Sequence, residues 1–339
     1  MDDKGEIQKA LFNYIKQQLP VNLSLVHEVS ELLELSYDST YRRLRLEKAL
    51  TLDEALILIK HFQCPLELLM KNELNLLTFQ HFCVAPEQFD KHQWIDFIYA
   101  RLKLICKAQK KQIIYAAKDP PIFQYFQFPE IASFKFYFWE KTLFHSKKLD
   151  GKTFSLDKMD PDVVEKCRKI AALSLQIPTV EIWNEDTFTI LLRQIEYHWV
   201  SGYFDTKDDL LQLLNSIELW LYHNQKQAEL GMKFLYGHEP HGLKNSYTLY
   251  ENEIVLNDNS IFISEDNKSS AHITYNVLGL LASSNDNFCH NVASLHQTLI
   301  SKSNLISQVA EKERNRFFNK LHAKVKQFKE LHELSKFDG

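Results

Sequence analysis

The sequence predicts a mainly α protein: a bundle of short helices at the N-terminus, a larger helical domain after it, and a small antiparallel β-sheet near residues 246–275. Three observations predict this class. Apolar residues recur at helical spacing through most of the chain. Only 8 of the 339 residues are glycine, too few for a fold built on many tight turns. Residues that suit strands gather in one region, at Ser246–Leu256, Ser260–Ser264 and Ala271–Tyr275, with Asn257-Asp258-Asn259 as a turn signal.

The length exceeds what one core organises, so three domains are expected, at 1–75, 76–240 and 241–339. With 23 phenylalanines and 14 tyrosines, most aromatic side chains must pack inside. The net charge of −4 argues against non-specific wrapping of nucleic acid by the whole molecule. The 5 cysteines are scattered and form no C-x-x-C pair, which reads as a reduced, cytoplasmic protein. The first residues lack a basic-then-apolar leader, and no apolar run reaches bilayer length, so no membrane association is expected.

The elements follow in order. Ile7, Leu11, Tyr14 and Ile15 share one face of a helix over 5–19 that ends before Pro20. Leu25, Val26, Val29, Leu32 and Leu33 make a second helix over 23–35, and Ser36 opens a third as its cap, with Asp38 in the first turn. Thr51 caps Leu52–Phe62, and the stretch from Cys64 to Leu69 closes the bundle. Residues 71–90 are an apolar connector. From His92 the pattern is helical again. Ile113 to Pro129 reads as a buried turn because Pro120-Pro121 breaks any helix. The aromatic run Phe134 to Trp139 reads as a helix packed into a core; an aromatic box for a ligand is the alternative, and core packing is preferred because aromatics bury large areas without one. Helices are expected at Pro161–Leu175, from Trp183 or Thr187 to Val200, at Asp208–Tyr222 and at His223–Tyr236. With short loops they would form a helical-hairpin array. Two more are expected, at Asp286–Ser301 and Ser307–Leu334, the last with a broad apolar stripe beneath a crowd of lysines.

The stretch Ser36-Tyr-Asp-Ser-Thr-Tyr-Arg-Arg-Leu-Arg-Leu-Glu-Lys48 is the one that points to chemistry. Thr40, Tyr41 and Leu44 are spaced as an inward stripe. Tyr37, Asp38, Arg42 and Arg45 then point outward, with Ser39 and Arg43 flanking. A short helix with a polar start and an arginine-rich outer face suits a DNA major groove. Residues 23–70 resemble the helix-turn-helix domain of lambda-repressor-like (Cro/cI-type, XRE) transcription regulators. The resemblance implies the order helix, turn, recognition helix, loop, helix. It also implies Ser36, Tyr37, Asp38, Ser39, Tyr41, Arg42, Arg43, Arg45 and Lys48 as DNA-binding residues. Two features depart from that pattern. Glu34 stands at the turn position usually held by glycine, and the recognition helix is one residue out of step with the common spacing.

Elsewhere the chain lacks phosphate-loop, dinucleotide and nucleophile-elbow motifs. His238 and His241 flank Pro240 without a third ligand, so no metal is expected. No catalytic residues and no cofactor are expected. The expected function is sequence-specific, one-component transcriptional regulation. Double-stranded DNA would be the ligand of a homodimer, and the C-terminal region would dimerise or sense a small-molecule or protein effector. The alternative is a helical protein–protein scaffold that uses the helix-turn-helix as a docking surface. Residues 1–78 carry nine Lys and Arg against twelve Asp and Glu, which favours that alternative.

Overall fold

The computed structural model describes residues 5–20, 23–62, 64, 77–82, 89–254, 258–275 and 278–334. The chain divides into two units, Met1–Phe79 and Gln80–Gly339. The expected closing segment after Cys64, the first residue of the Asn257–Asn259 turn and Cys83 lie outside the described residues.

In the first unit, helices α1 (Glu6–Gln18), α2 (Leu25–Leu32), α3 (Tyr37–Leu44) and α4 (Leu52–Phe62) enclose Leu11, Phe12, Ile15, Val29, Leu58 and Cys64. Each helix carries apolar residues three and four apart, so one stripe per helix leaves water. Thr51 and Glu54 form a reciprocal cap at the start of α4. Glu54 N donates to Thr51 Oγ1 (3.2 Å), and Thr51 N donates to Glu54 Oε2 (2.9 Å).

The second unit overturns the expected mainly α class. It is built on one mixed eight-stranded sheet in the order β1-β7-β6-β5-β2-β3-β4-β8. The strands are β1 (Gln80–Phe82), β2 (Lys111–Ala116), β3 (Thr179–Trp183), β4 (Tyr247–Glu251), β5 (Ser260–Glu265), β6 (Lys268–Thr274), β7 (Leu280–Ser283) and β8 (Asn304–Leu305). β2, β3 and β4 run parallel, while all other pairings are antiparallel. The expected three-stranded sheet at 246–275 is therefore corrected. β4 does not pair with β5, because β2 and β3 stand between them. The hairpin turn lies instead at Asp266-Asn267, where Glu265 faces Lys268. Strands from either side of residue 240 share this sheet, so 76–240 and 241–339 form one unit.

Helices cover both faces of the sheet. On one face, Ile113, Tyr115, Trp183, Leu249 and Ile263 join the main core. That face meets α5 (Lys91–Lys107), α6 (Ile122–Tyr125), α7 (Pro129–Phe138), α8 (Pro161–Ser174), α9 (Glu185–Val200) and α10 (Lys207–Leu230). On the other face, Ala116 and Ile182 meet Leu299, and Ala271 meets Cys289 and Val292, all three from α11 (Asp286–Ser301). The final helix α12 (Glu311–Leu331) buries Phe317, Phe318, Leu321 and Val325. Several of its lysines are held by carboxylates of this same unit: Lys320 reaches Glu185 at 2.6 Å and Lys329 reaches Glu218 at 2.8 Å. The helices expected at 208–222 and 223–236 are a single helix, α10, ended by Gly231 at φ 60. A helical-hairpin array is thereby replaced by helices layered on a sheet.

The sheet holds a polar centre. Lys233, 2% exposed, donates to Ser174 O (2.6 Å), Ile177 O (2.5 Å) and Thr179 Oγ1 (2.8 Å). Glu181, fully buried on β3, accepts from Gln124 Nε2 (2.9 Å), Trp183 Nε1 (2.9 Å) and the Tyr247 hydroxyl (3.4 Å). Burial raises the Glu181 carboxyl pKa and lowers that of the Lys233 ammonium, and each charge favours the other. Lys233→Met removes three hydrogen bonds and the compensating charge, so urea unfolding should show a loss of about 3 kcal/mol. An acid whose folded pKa is raised binds more protons folded than unfolded, so its contribution falls as pH rises. The deficit of Lys233→Met relative to the unaltered chain should therefore be larger at pH 8 than at pH 5.

Candidate functional site

The junction of α2 and α3 is set by backbone geometry. Leu35 N donates to Ser30 O (3.0 Å), and Glu34 takes the left-handed conformation at φ 53. A side chain with a Cβ thus occupies the turn position that glycine would fill with less strain. Ser36 caps α3 and accepts from Ser39 N at 3.3 Å. Tyr37 ties α3 to α2 through its hydroxyl, 2.9 Å from His27 Nδ1.

Beneath α3 lies an ion pair. Arg43 is 3% exposed. Its Nε and Nη2 grip the two oxygens of Glu54 at 3.0 and 2.6 Å, and its Nη1 donates to Ser39 O at 3.0 Å. The fork matches the carboxylate, so each hydrogen bond is charge-assisted. This bond from Arg43 holds the Glu54 carboxyl below its usual range, against the opposing effect of burial. Gln8 of α1 fixes the following loop. Its Nε2 donates to Arg43 O (2.7 Å) and Lys48 O (3.0 Å), and its Oε1 accepts from Leu50 N (2.9 Å).

The inward residues are therefore Thr40, Arg43 and Leu44. The expected stripe of Thr40, Tyr41 and Leu44 is corrected at one position, and the expected DNA contact at Arg43 is withdrawn because its guanidinium is buried and spent. Tyr41 moves outward instead, 45% exposed. Ser36, Tyr37, Asp38, Tyr41, Arg42, Arg45 and Lys48 are exposed, and Ser39 is half-buried. Arg45 lies over the Tyr41 ring at 5.6 Å and reaches Glu47 only at 3.9 Å, with both side chains largely exposed. That pair contributes little and leaves the guanidinium available.

A second candidate site lies in the aromatic region where the sequence favours core packing over an aromatic box for a ligand. In the second unit a cavity of about 540 Å³ runs between α5 and the sheet. Its floor is Ile113 and Tyr115 of β2, Ile261 and Ile263 of β5, His272 and Thr274 of β6, and Leu280 of β7. Its roof is Trp94, Phe97, Ile98, Arg101 and Leu102 of α5. Within the stretch read as core, Tyr115, Phe123 and Trp139 line this cavity as well. The periodicity of α5 marks a buried face but cannot tell a packed face from a lined hollow, and the dense aromatics beyond it are a signal that core packing explains equally well.

Comparison with family models, with curated proteins and with solved structures finds no match to this chain. Among the described residues, no helix is long and apolar enough to cross a membrane, and no group of three metal-ligating side chains occurs.

The buried ion pair gives a test of its own. Arg43→Ala leaves Glu54 and Ser39 O short of donors, so local stability should fall by about 2 kcal/mol. Amide hydrogen exchange in the full chain should accelerate over residues 37–58 and stay unchanged over the eight-stranded unit. An acid whose folded pKa is depressed stabilises above its unfolded value, and that contribution is lost as pH falls through the folded value. Protection of residues 37–58 should therefore drop on acidification below about pH 4.3, and less so in Glu54→Gln.

Proposed function

We propose that this chain is a cytoplasmic, sequence-specific DNA-binding transcriptional regulator. In this reading the first unit reads double-stranded DNA as a homodimer, and Gln80–Gly339 serves to sense an effector or to dimerise. It is read as a regulator and not as an enzyme. One observation carries the reading. α3 is anchored from beneath by Arg43–Glu54 and from behind by Gln8, while Tyr37, Asp38, Tyr41, Arg42 and Arg45 project from one face into solvent. A rigid helix with free guanidinium and hydrogen-bonding tips is what base-edge and phosphate contact requires. The resemblance of the sequence over residues 23–70 to lambda-repressor-like domains supports the same assignment. One such helix reads only a few base pairs, so two copies on successive turns of the duplex are needed. Leu52, Leu56 and Ile57 on α4 are 76%, 39% and 45% exposed and supply an apolar face for a second copy.

The same apolar face also favours the alternative, a docking module for another protein. Salt separates the two, because release of counterions makes DNA affinity fall steeply with ionic strength. Duplexes selected from a random pool should be retained by the full chain at low salt. Arg42→Ala with Arg45→Ala should weaken their retention about a hundredfold in a gel shift, at about 1–3 kcal/mol for each lost contact. Equal affinity of the double variant, or no retained duplex at any salt, overturns the assignment.

A further inference from the structure

The cavity under α5 has a volume of 540 Å³, inside the range of about 300–1,000 Å³ that holds small molecules. Its lining is largely apolar and aromatic. The charged groups that reach it are already matched within the protein. Arg101 Nη2 lies 2.6 Å from Glu265 Oε2, and Asp119 Oδ2 lies 2.6 Å from Lys135 Nζ. Asp90 caps α5 through Oδ1, which accepts from His92 N at 2.8 Å and Gln93 N at 3.4 Å, and the residue is exposed, so its charge is already solvated. Burial, aided by nearby Arg101, pushes the His272 imidazole down to about 4, so it is neutral at physiological pH. An anion would face Asp90 and Asp119, and a cation would face Arg101. Neither would find an unmatched partner, and each would lose its hydration.

Two unspent donors line the cavity, beside His272 Nδ1, which has no partner among the described residues and donates or accepts according to the tautomer set at Nε2 by Ser270. Asn259 Oδ1 accepts from Lys118 N (2.8 Å) and Asp119 N (3.1 Å), which fixes the amide's orientation and leaves its NH2 group for another acceptor. Trp139, 2% exposed, carries an indole N–H with no hydrogen-bond partner among the described residues. Indole nitrogen only donates. Both residues line the cavity.

We infer that the cavity between Lys91–Lys107 and strands β2, β5 and β6 binds an uncharged, largely apolar small molecule that carries a carbonyl oxygen, which accepts from the Asn259 amide. Trp139 supplies a second unpartnered donor among the lining residues. The apolar body of the ligand replaces water against Phe97, Ile98 and Ile261. The inference rests on the sensing role proposed above only for its regulatory consequence. Binding is scored without DNA, so its failure and the failure of DNA recognition are separate results.

The probe is 6-propionyl-2-dimethylaminonaphthalene, an uncharged aromatic ketone whose emission shifts to the blue in apolar surroundings. Titrated into the full chain, it should give saturable one-to-one binding with a blue shift. Ile98→Trp, which fills the cavity, should abolish binding. Asn259→Asp keeps the acceptor for the two backbone amides and removes the donor, so it should weaken binding about tenfold. Thermal unfolding of each variant verifies that the fold is retained, and Trp139→Phe, a conservative change, provides a second donor-deletion variant with the same expected direction. In competition, 2-acetylnaphthalene should displace the probe, while its anionic counterpart 2-naphthoate and the carbonyl-free 2-ethylnaphthalene should each be about tenfold weaker. Non-saturable binding, or unaltered binding by a folded Ile98→Trp, overturns the site. Displacement by 2-naphthoate as strong as by the ketone overturns the uncharged class, and equal displacement by 2-ethylnaphthalene overturns the carbonyl.

Discussion

The guanidinium of Arg43 gives up its water to lie 2.6 Å from Glu54, and much of the first unit follows from that exchange. An arginine buried without a carboxylate is costly, while one whose Nε and Nη2 donate to a carboxylate and whose Nη1 donates to a carbonyl is tolerable. Glu54 can answer because Thr51 starts α4 and orients the carboxylate through a reciprocal cap. The pair thereby joins the middle of α3 to the first turn of α4. Once Arg43 points inward, helical spacing leaves Tyr41, Arg42 and Arg45 no direction but outward. Orientation of the exposed face is thus decided by a residue that does not belong to it.

In the second unit the comparable constraint is the parallel trio β2-β3-β4. Each parallel step requires a crossover, and the helical segments between β2 and β3, and between β3 and β4, become the thick layer on one face. Glu181 sits at the centre of that trio, where an ionised carboxylate would be expensive. Three neutral donors and the nearby Lys233 make it bearable. Toward β5, β6 and β7 the sheet face and α5 part to leave the cavity.

What the sequence disclosed follows the same physics. Helices with one wet face were legible: Asp160 before Pro161, Ser36 before α3 and the run over 286–301 all lie where caps and spacing place them. β2 was not legible, because Ile113-Ile114-Tyr115-Ala116 is buried on both faces and shows no alternation. β3 carries the β-branched residues of a strand, but Glu181 in its middle disguises a buried position as a wet one. Arg43 misled for a related reason. Among adjacent arginines nothing local says which is inside, and the answer lies eleven positions on, in Glu54. In the candidate site, therefore, the helix and its outward tips were readable, whereas the residue that holds it and the hollow in the other unit depend on partners distant in sequence.

The distribution of cations draws these points together. The chain has 40 lysines and arginines against 44 acids, and many of the cations act as internal struts. Arg43, Lys135 and Lys233 are buried on partners, and Lys320, Lys324 and Lys329 of α12 are drawn to Glu185 and Glu218. The basic C-terminal helix is thus committed largely to its own unit and presents a smaller positive surface than its composition implies. Within the acidic first unit, Arg42, Arg45 and Lys48 stand exposed as a local positive cluster on and just after α3. On the proposed reading, affinity then comes from few phosphate contacts per copy. Such a protein gains little from non-specific attraction, so its hold on a duplex must come from fit at the bases and from pairing two copies on one site.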